Sequence, residues 1–157
     1  MDKYYIYIPQ LIVLVSVIPY VYGISKNKII PNPISWILWS IIGTVLFITV
    51  WSNPNSDSAT IIFAAIIMIN PMIVSFLSII KKLKWIKVDR WDVLAVLISL
   101  IAITFYYFQS NKEGLIPLVL AITADVCAFI PTIKSAIRRP VDDRPAMWLC
   151  FMLGALL

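Results

Sequence analysis

Five long apolar blocks divide the sequence, and short polar connections separate them. The blocks cover residues 4–22, 34–51, 59–80, 91–108 and 115–133. About 20 helical residues, each rising 1.5 Å, cross the roughly 30 Å hydrocarbon core of a bilayer. The blocks therefore predict five membrane-spanning helices. A sixth apolar run, residues 146–157, is too short to cross. It predicts either a re-entrant helix or, as the repeat described below favours, the start of a spanning helix in a longer protein.

The composition supports this interpretation over a soluble fold. Hydrophobic residues make up 61% of the 157 residues and charged residues 13%, whereas soluble domains have roughly 45–50% and about 25%. A soluble domain of this size exposes a large share of its surface and cannot hide so much apolar area. The sequence therefore predicts an all-α membrane protein.

The basic residues predict how the chain is oriented in the cell membrane. The net charge is +5, and 11 of the 13 Lys and Arg residues lie in the first, third and fifth connections. The other two, Lys3 and Lys112, lie at the N-terminus and in the fourth connection. Short basic loops stay in the cytoplasm. We therefore expect a multi-pass protein with its N-terminus outside and its basic loops inside.

Several chemistries have no residues to support them. The chain has no histidine, so imidazole-based metal sites and catalytic triads are excluded. Cys127 and Cys150 each lie inside an apolar run, and no glycine-rich phosphate motif occurs. We therefore expect no enzyme, no cofactor and no metal site. Because the basic residues sit beside membrane-length runs, we also expect no nucleic-acid partner.

The sequence carries a weak internal repeat at an offset of 112 residues. This offset superposes rare residues at three places: Pro19 on Pro131, Pro33 on Pro145, and Trp36 on Trp148. The first and fifth helices run in the same direction, so the two copies are parallel. The repeat predicts three helices, a linker helix and three helices (3+1+3). Residues 1–80 form the first unit, 81–110 the linker loop and helix, and 111–157 a second unit whose last helix is missing.

A proline late in a span, a basic loop and a Pro-Ile-Ser-Trp entry to the next helix resemble the PQ-loop repeat of the SWEET and SemiSWEET transporters. The residues are Pro19 with Pro33 to Trp36 in the first copy, and Pro131 with Trp148 in the second. Tyr20 and Thr132 replace the glutamine that normally follows the proline, which suits a divergent bacterial branch. The resemblance implies alternating-access transport of a sugar or another small polar metabolite. The alternative is a non-transporting receptor or assembly partner with the same bundle.

Three residues are candidates for binding a solute. Asn70 lies in the middle of the third apolar block, where the resemblance implies hydrogen bonding to the solute; a buried amide also serves as a link between helices. Asp125 is the only acidic residue deep inside a block, and it predicts either proton uptake or a structural hydrogen bond. Trp51 is a candidate stacking partner or an interfacial anchor. The expected partners are a small solute and the lipid bilayer, with a homo-oligomer left open.

Four residues are candidates for a hinge or gate. Pro19 and Pro131 each free a backbone carbonyl four residues earlier and permit a bend; the resemblance implies hinges, and the alternative is a static kink. Trp36 and Trp148 lie 17 residues after these prolines. They predict an inner gate or interfacial anchors.

Overall fold

The computed structural model describes residues 5–81, 90–108, 115–138, 149 and 152–153, and these residues form helices and turns without a strand. A short 3-10 turn, Tyr5–Tyr7, precedes five α-helices. Residues 149, 152 and 153 are also helical. The helices are α1 (Ile8–Ser25), α2 (Pro33–Trp51), α3 (Ser58–Ile80), α4 (Arg90–Phe108) and α5 (Leu115–Arg138). The five predicted helices are thus confirmed as helices within a few residues.

The main departures from the predicted bounds occur at proline-containing helices. α1 continues past Pro19 to Ser25, and α5 continues past Pro131 to Arg138. A proline loses one helical hydrogen bond and crowds the preceding turn, but the helix can continue beyond it. α1 ends at Ser25, and Asn27 two residues later has a φ of 55°, the left-handed conformation that commonly follows a helix end.

Polar side chains begin the next two helices. The Asn32 side chain accepts a hydrogen bond from the backbone N–H of Ile34, 3.0 Å away, and caps α2. Asp57 caps α3 in the same way by accepting from the backbone N–H of Thr60 at 2.8 Å. Since this bond favours the charged carboxylate, it lowers the pKa of Asp57 below its ordinary value. Both caps satisfy donors that a helix start otherwise leaves unpaired.

Contacts between α1, α2 and α3 establish their relative directions. Asn70 of α3 contacts Val13 of α1, and towards the C-terminal ends of the same two helices Lys81 contacts Ser25. α1 and α3 are therefore parallel. α2 runs against them, since its residues Ser40 and Gly43 contact α3 in reversed order at Ser75 and at Met68.

The contacts of α5 place it parallel to α1 and α3. Along α2, Asn32 contacts Pro131 and then Trp39 contacts Phe129, so α2 and α5 are antiparallel. Along α4, Asp92 contacts Lys134 and then Ser99 contacts Ala124, so α4 and α5 are antiparallel as well. The helices thus alternate in direction. The basic residues at their ends lie at one end of the bundle: Lys26, Lys28, Lys81, Arg90 and Lys134.

The bundle is apolar outside and partly polar inside. Large apolar side chains such as Ile18, Phe76 and Ile101 are more than half exposed. Buried polar side chains occupy the contacts between helices: Ser16, Asn70, Ser75, Asp92 and Ser99. α1 to α4 are each long and apolar enough to cross a membrane. In lipid an apolar exterior costs nothing, whereas polar groups need partners inside the bundle. The fold therefore indicates a membrane-embedded protein.

Gly43 lets α2 approach α3 closely. A Cβ atom at this position would lie 2.8 Å from the carbonyl oxygen of Ile67 and 2.8 Å from the Cα atom of Met68. These are backbone atoms, so they cannot rotate away as a side chain can. Small residues allow close contacts of this kind between membrane helices. α3 consequently packs against both α1 and α2, and α2 in turn packs against α5.

Candidate functional site

A cavity of about 330 Å³ lies between α1, α2, α3 and α5. Its volume is at the lower end of the range for ligand pockets, which suits a small solute. The residues that line it come from the middle of α3 and α5 and from the facing turns of α1 and α2. They include Ser16, Val17, Trp36, Trp39, Gly43, Ile67, Asn70, Pro71, Asp125 and Phe129. Met152, from the chain after α5, also lines it.

The side-chain amide of Asn70 makes a hydrogen bond through its nitrogen atom. Its Nδ2 donates to the carbonyl oxygen of Val13 on α1 at 2.9 Å. The residue is 6% exposed, and its Oδ1 has no hydrogen-bond partner among the described residues. A buried acceptor without a partner costs free energy. Asn70 therefore links two helices, as the structural alternative expected, and also keeps an unsatisfied acceptor beside the cavity.

The turn of α3 that contains Asn70 has a second irregular feature. Pro71 follows directly and has no N–H, so the carbonyl of Ile67 lacks its usual helical donor. This carbonyl lies against Gly43 of α2, and all three residues line the cavity. In a membrane helix, backbone groups freed by proline are tolerated where neighbouring helices or a cavity surround them.

Asp125 of α5 lines the same cavity. The indole N–H of Trp39 donates a hydrogen bond to its carboxylate. An ionised carboxylate accepts several hydrogen bonds, so this one leaves further capacity. The residue is exposed and lines the cavity, so part of its accessible surface is available there.

Aromatic rings form one wall next to Asp125. The Trp39 ring centroid lies 5.6 Å from that of Phe129 and 5.2 Å from that of Trp36. Trp36 in turn lies 5.1 Å from Tyr20 of α1. Aromatic pairs at these separations attract each other beyond their apolar burial. The rings thus join α1, α2 and α5 at one side of the cavity.

The structure brings some of the sequence-predicted site residues together and separates others. Asn70, Asp125 and Trp36 all line the cavity. Trp51 does not line it; it is 66% exposed at the end of α2 and stacks on Phe47. Trp148 lies outside the described residues, as does Pro145.

The two candidate hinge prolines have different surroundings. Pro131 is buried, and its carbonyl oxygen accepts a hydrogen bond from Nδ2 of Asn32 at 3.1 Å. Asn32 also caps α2, so one side chain joins the start of α2 to the proline turn of α5. Pro19 is only half-buried in α1. Neither proline ends its helix.

The residues that sequence reasoning missed include Trp39, Phe129 and Gly43 in the lining of the cavity, and Asn32 outside it. Two of them had a usable signal, because Trp39 lies three residues after Trp36 and Phe129 four residues after Asp125. Positions three or four apart share one face of a helix. Gly43 and Asn32 act through contacts with α3 and α5 that no local pattern indicates.

Comparison with protein-family models, with curated proteins and with solved structures finds no match to the chain.

Proposed function

We propose that the chain is an integral membrane transporter of a small polar solute. The observation that carries this proposal is the cavity between α1, α2, α3 and α5, which Asn70 of α3 and Asp125 of α5 both line. Transporters bind their solutes near the bilayer midplane, where irregular backbone lines a cavity. The proline turn of α3 supplies such backbone.

The proposal includes movement of two units around the cavity. α1 to α3 form the first unit, α4 links it to the second, and α5 begins the second unit of a 3+1+3 repeat. Val17 and Phe129, which are related by the offset of 112 residues, both line the cavity. This correspondence supports equivalent roles for α1 and α5. Pro19 and Pro131 then act as hinges, and Trp36 closes one side of the cavity.

The orientation is part of the same proposal. The basic residues at one end of the bundle belong in the cytoplasm under the positive-inside rule. The N-terminus then lies outside, and the solute crosses between Asn70 and the cytoplasmic ends of α1 and α5.

The test measures flux into vesicles containing the purified protein. Radiolabelled sugars, amino acids and organic amines form the panel, and we expect saturable uptake of at least one of them. We expect Pro131→Ala to lower that uptake about fivefold. An alanine N–H at this position restores a helical hydrogen bond worth about 1 kcal/mol to the straight form, and a shift of this size changes a rate by that factor.

Pro54→Ala is the matched control, because Pro54 lies in an exposed turn between α2 and α3. Its uptake should equal that of the unmodified protein. Absence of uptake for the whole panel contradicts the transporter proposal and favours the receptor or assembly partner. Uptake that Pro131→Ala leaves unchanged contradicts the hinge alone.

A further inference from the structure

Three polar side chains that line the cavity each direct a hydrogen-bond donor into the protein. Asn70 Nδ2 and Ser16 Oγ both donate to the carbonyl oxygen of Val13, at 2.9 Å and 2.7 Å. The Trp39 indole N–H donates to Asp125. Among these side chains Asp125 is the exposed one, so its carboxylate is the acceptor that a solute in the cavity can reach, whereas Asn70 and Ser16 are buried.

The charge that lines the cavity is negative. Asp125 is the only charged residue among the described residues that line it. The nearest described basic side chain on the same helix, Lys134, lies nine residues away, or about 13 Å along the axis. Its ammonium group is 3.2 Å from Asp92 of α4 and so contacts another carboxylate.

Aromatic rings lie next to Asp125. Phe129 lies one helical turn further along α5, and Trp39 packs on it from α2. Aromatic faces attract cations, and the attraction is strongest where water is excluded. A carboxylate beside aromatic rings favours a positively charged solute.

We infer that the solute is a small organic cation, an amine or quaternary ammonium compound, held by Asp125, Trp39 and Phe129. This inference rests on the proposed function. It departs from the sugar that the family resemblance implies. A sugar is neutral and has no charge to pair with the Asp125 carboxylate, which is the one charged group among the described residues of the lining.

The test measures binding rather than flux, on the full chain in lipid nanodiscs. Radiolabelled choline is the probe, because its charge does not change with pH. The neutral competitor is 3,3-dimethyl-1-butanol, which has the shape of choline without its charge. We expect saturable choline binding that unlabelled choline displaces, whereas 3,3-dimethyl-1-butanol and glucose do not.

Substitutions at Asp125 then test whether its carboxylate is the group that binds the choline cation. We expect Asp125→Asn to weaken choline binding about tenfold or more, because it removes the ionic partner. Asp125→Glu keeps the charge and should bind more tightly than Asp125→Asn. The matched control is Asp57→Asn, which removes a carboxylate outside the cavity and leaves a residue that caps α3. It should bind choline like the unmodified chain.

Three results overturn the inference: no saturable choline binding, equal competition by the neutral alcohol, or unchanged affinity in folded Asp125→Asn. If Asp125→Asn does not fold, the competition by the neutral alcohol decides alone. The outcome also separates the two proposals. Choline binding without uptake of any solute contradicts transport and supports the cation site. Glucose uptake without choline binding supports transport and contradicts the cation site.

Discussion

The two halves of the bundle are held together by different kinds of contact. In the first half, α3 packs between α1 and α2, with a backbone contact at Gly43 and an aromatic cluster around Trp36. In the second half, α4 packs on α5 through small buried residues and one ion pair. These residues are Ala95, Ser99, Ala102, Ala124 and Ala128, with Asp92 and Lys134 near one end.

The contacts also differ in the size of the residues that make them. Between α4 and α5, Ser99 Oγ lies 3.1 Å from the carbonyl oxygen of Ala124, whereas between α2 and α5 the large rings of Trp39 and Phe129 meet. The cavity lies between the two halves, next to the first, while the second half contributes Asp125 and Phe129.

The largest expected effect comes from breaking the contact of α4 with α5. Asp92→Ala removes the carboxylate that Lys134 contacts, and the Asp92 side chain is only 4% exposed. We expect the free energy of unfolding to fall by about 3 kcal/mol, at the lower end for a buried ion pair because Lys134 is partly exposed. Denaturant unfolding in detergent micelles, followed by circular dichroism, measures it.

The double variant Asp92→Leu with Lys134→Met is the control for this prediction. It replaces both charges with apolar groups and should recover much of the lost stability, because no charge is left in the interface. A single variant as stable as the unmodified chain would mean that the small residues alone hold α4 to α5.

A methyl group at Gly43 should break the tight contact of the first half. Gly43→Ala places its Cβ against the Ile67 and Met68 backbone, so α2 and α3 have to separate. Overpacking of this kind destabilises by about 2 kcal/mol. The same unfolding measurement applies.

Gly23→Ala is the matched control on α1. The three atoms nearest to its Cβ would all belong to the side chain of Ile29, so a side chain rather than a helix backbone would have to shift. The loss of stability should therefore be smaller than for Gly43→Ala. Equal losses at the two glycines would argue against a special backbone contact between α2 and α3.

The smallest effect concerns Asn32, the residue that connects the two halves. Asn32→Ala removes the cap of α2 and the hydrogen bond to the Pro131 carbonyl, and we expect a loss of about 1 kcal/mol. Asn32→Ser keeps a capping oxygen but is too short to reach α5. Its stability should lie between those of the alanine variant and the unmodified chain, unless the contact with α5 carries the whole effect.

The positions of the helices could be predicted because hydropathy is a local property. An apolar block such as 59–80 becomes a helix in lipid, since only helices and closed barrels satisfy every backbone group there. The same argument identified Asn70 and Asp125 as polar side chains inside predicted membrane spans, where each needs a hydrogen-bond partner or a polar cavity. Both line the central cavity, although whether they bind a solute stays a prediction.

The neighbours of those residues could not be predicted in the same way. Trp51 and Trp39 are both tryptophans of α2, but only Trp39 faces α5. In a helix that is apolar on every side, the sequence pattern does not indicate which face meets protein and which meets lipid.

The sequence by itself determined that this chain is a set of lipid-length helices with one amide and one carboxylate at mid-span. Hydrophobicity, helix length and charge placement are enough for that, because they act residue by residue. Only the tertiary structure decided that Asn70 donates to α1, that Gly43 meets the backbone of α3, and that Trp39 reaches Asp125. These contacts join residues that are far apart in the chain. They depend on how whole helices pack against one another, which no local sequence pattern determines.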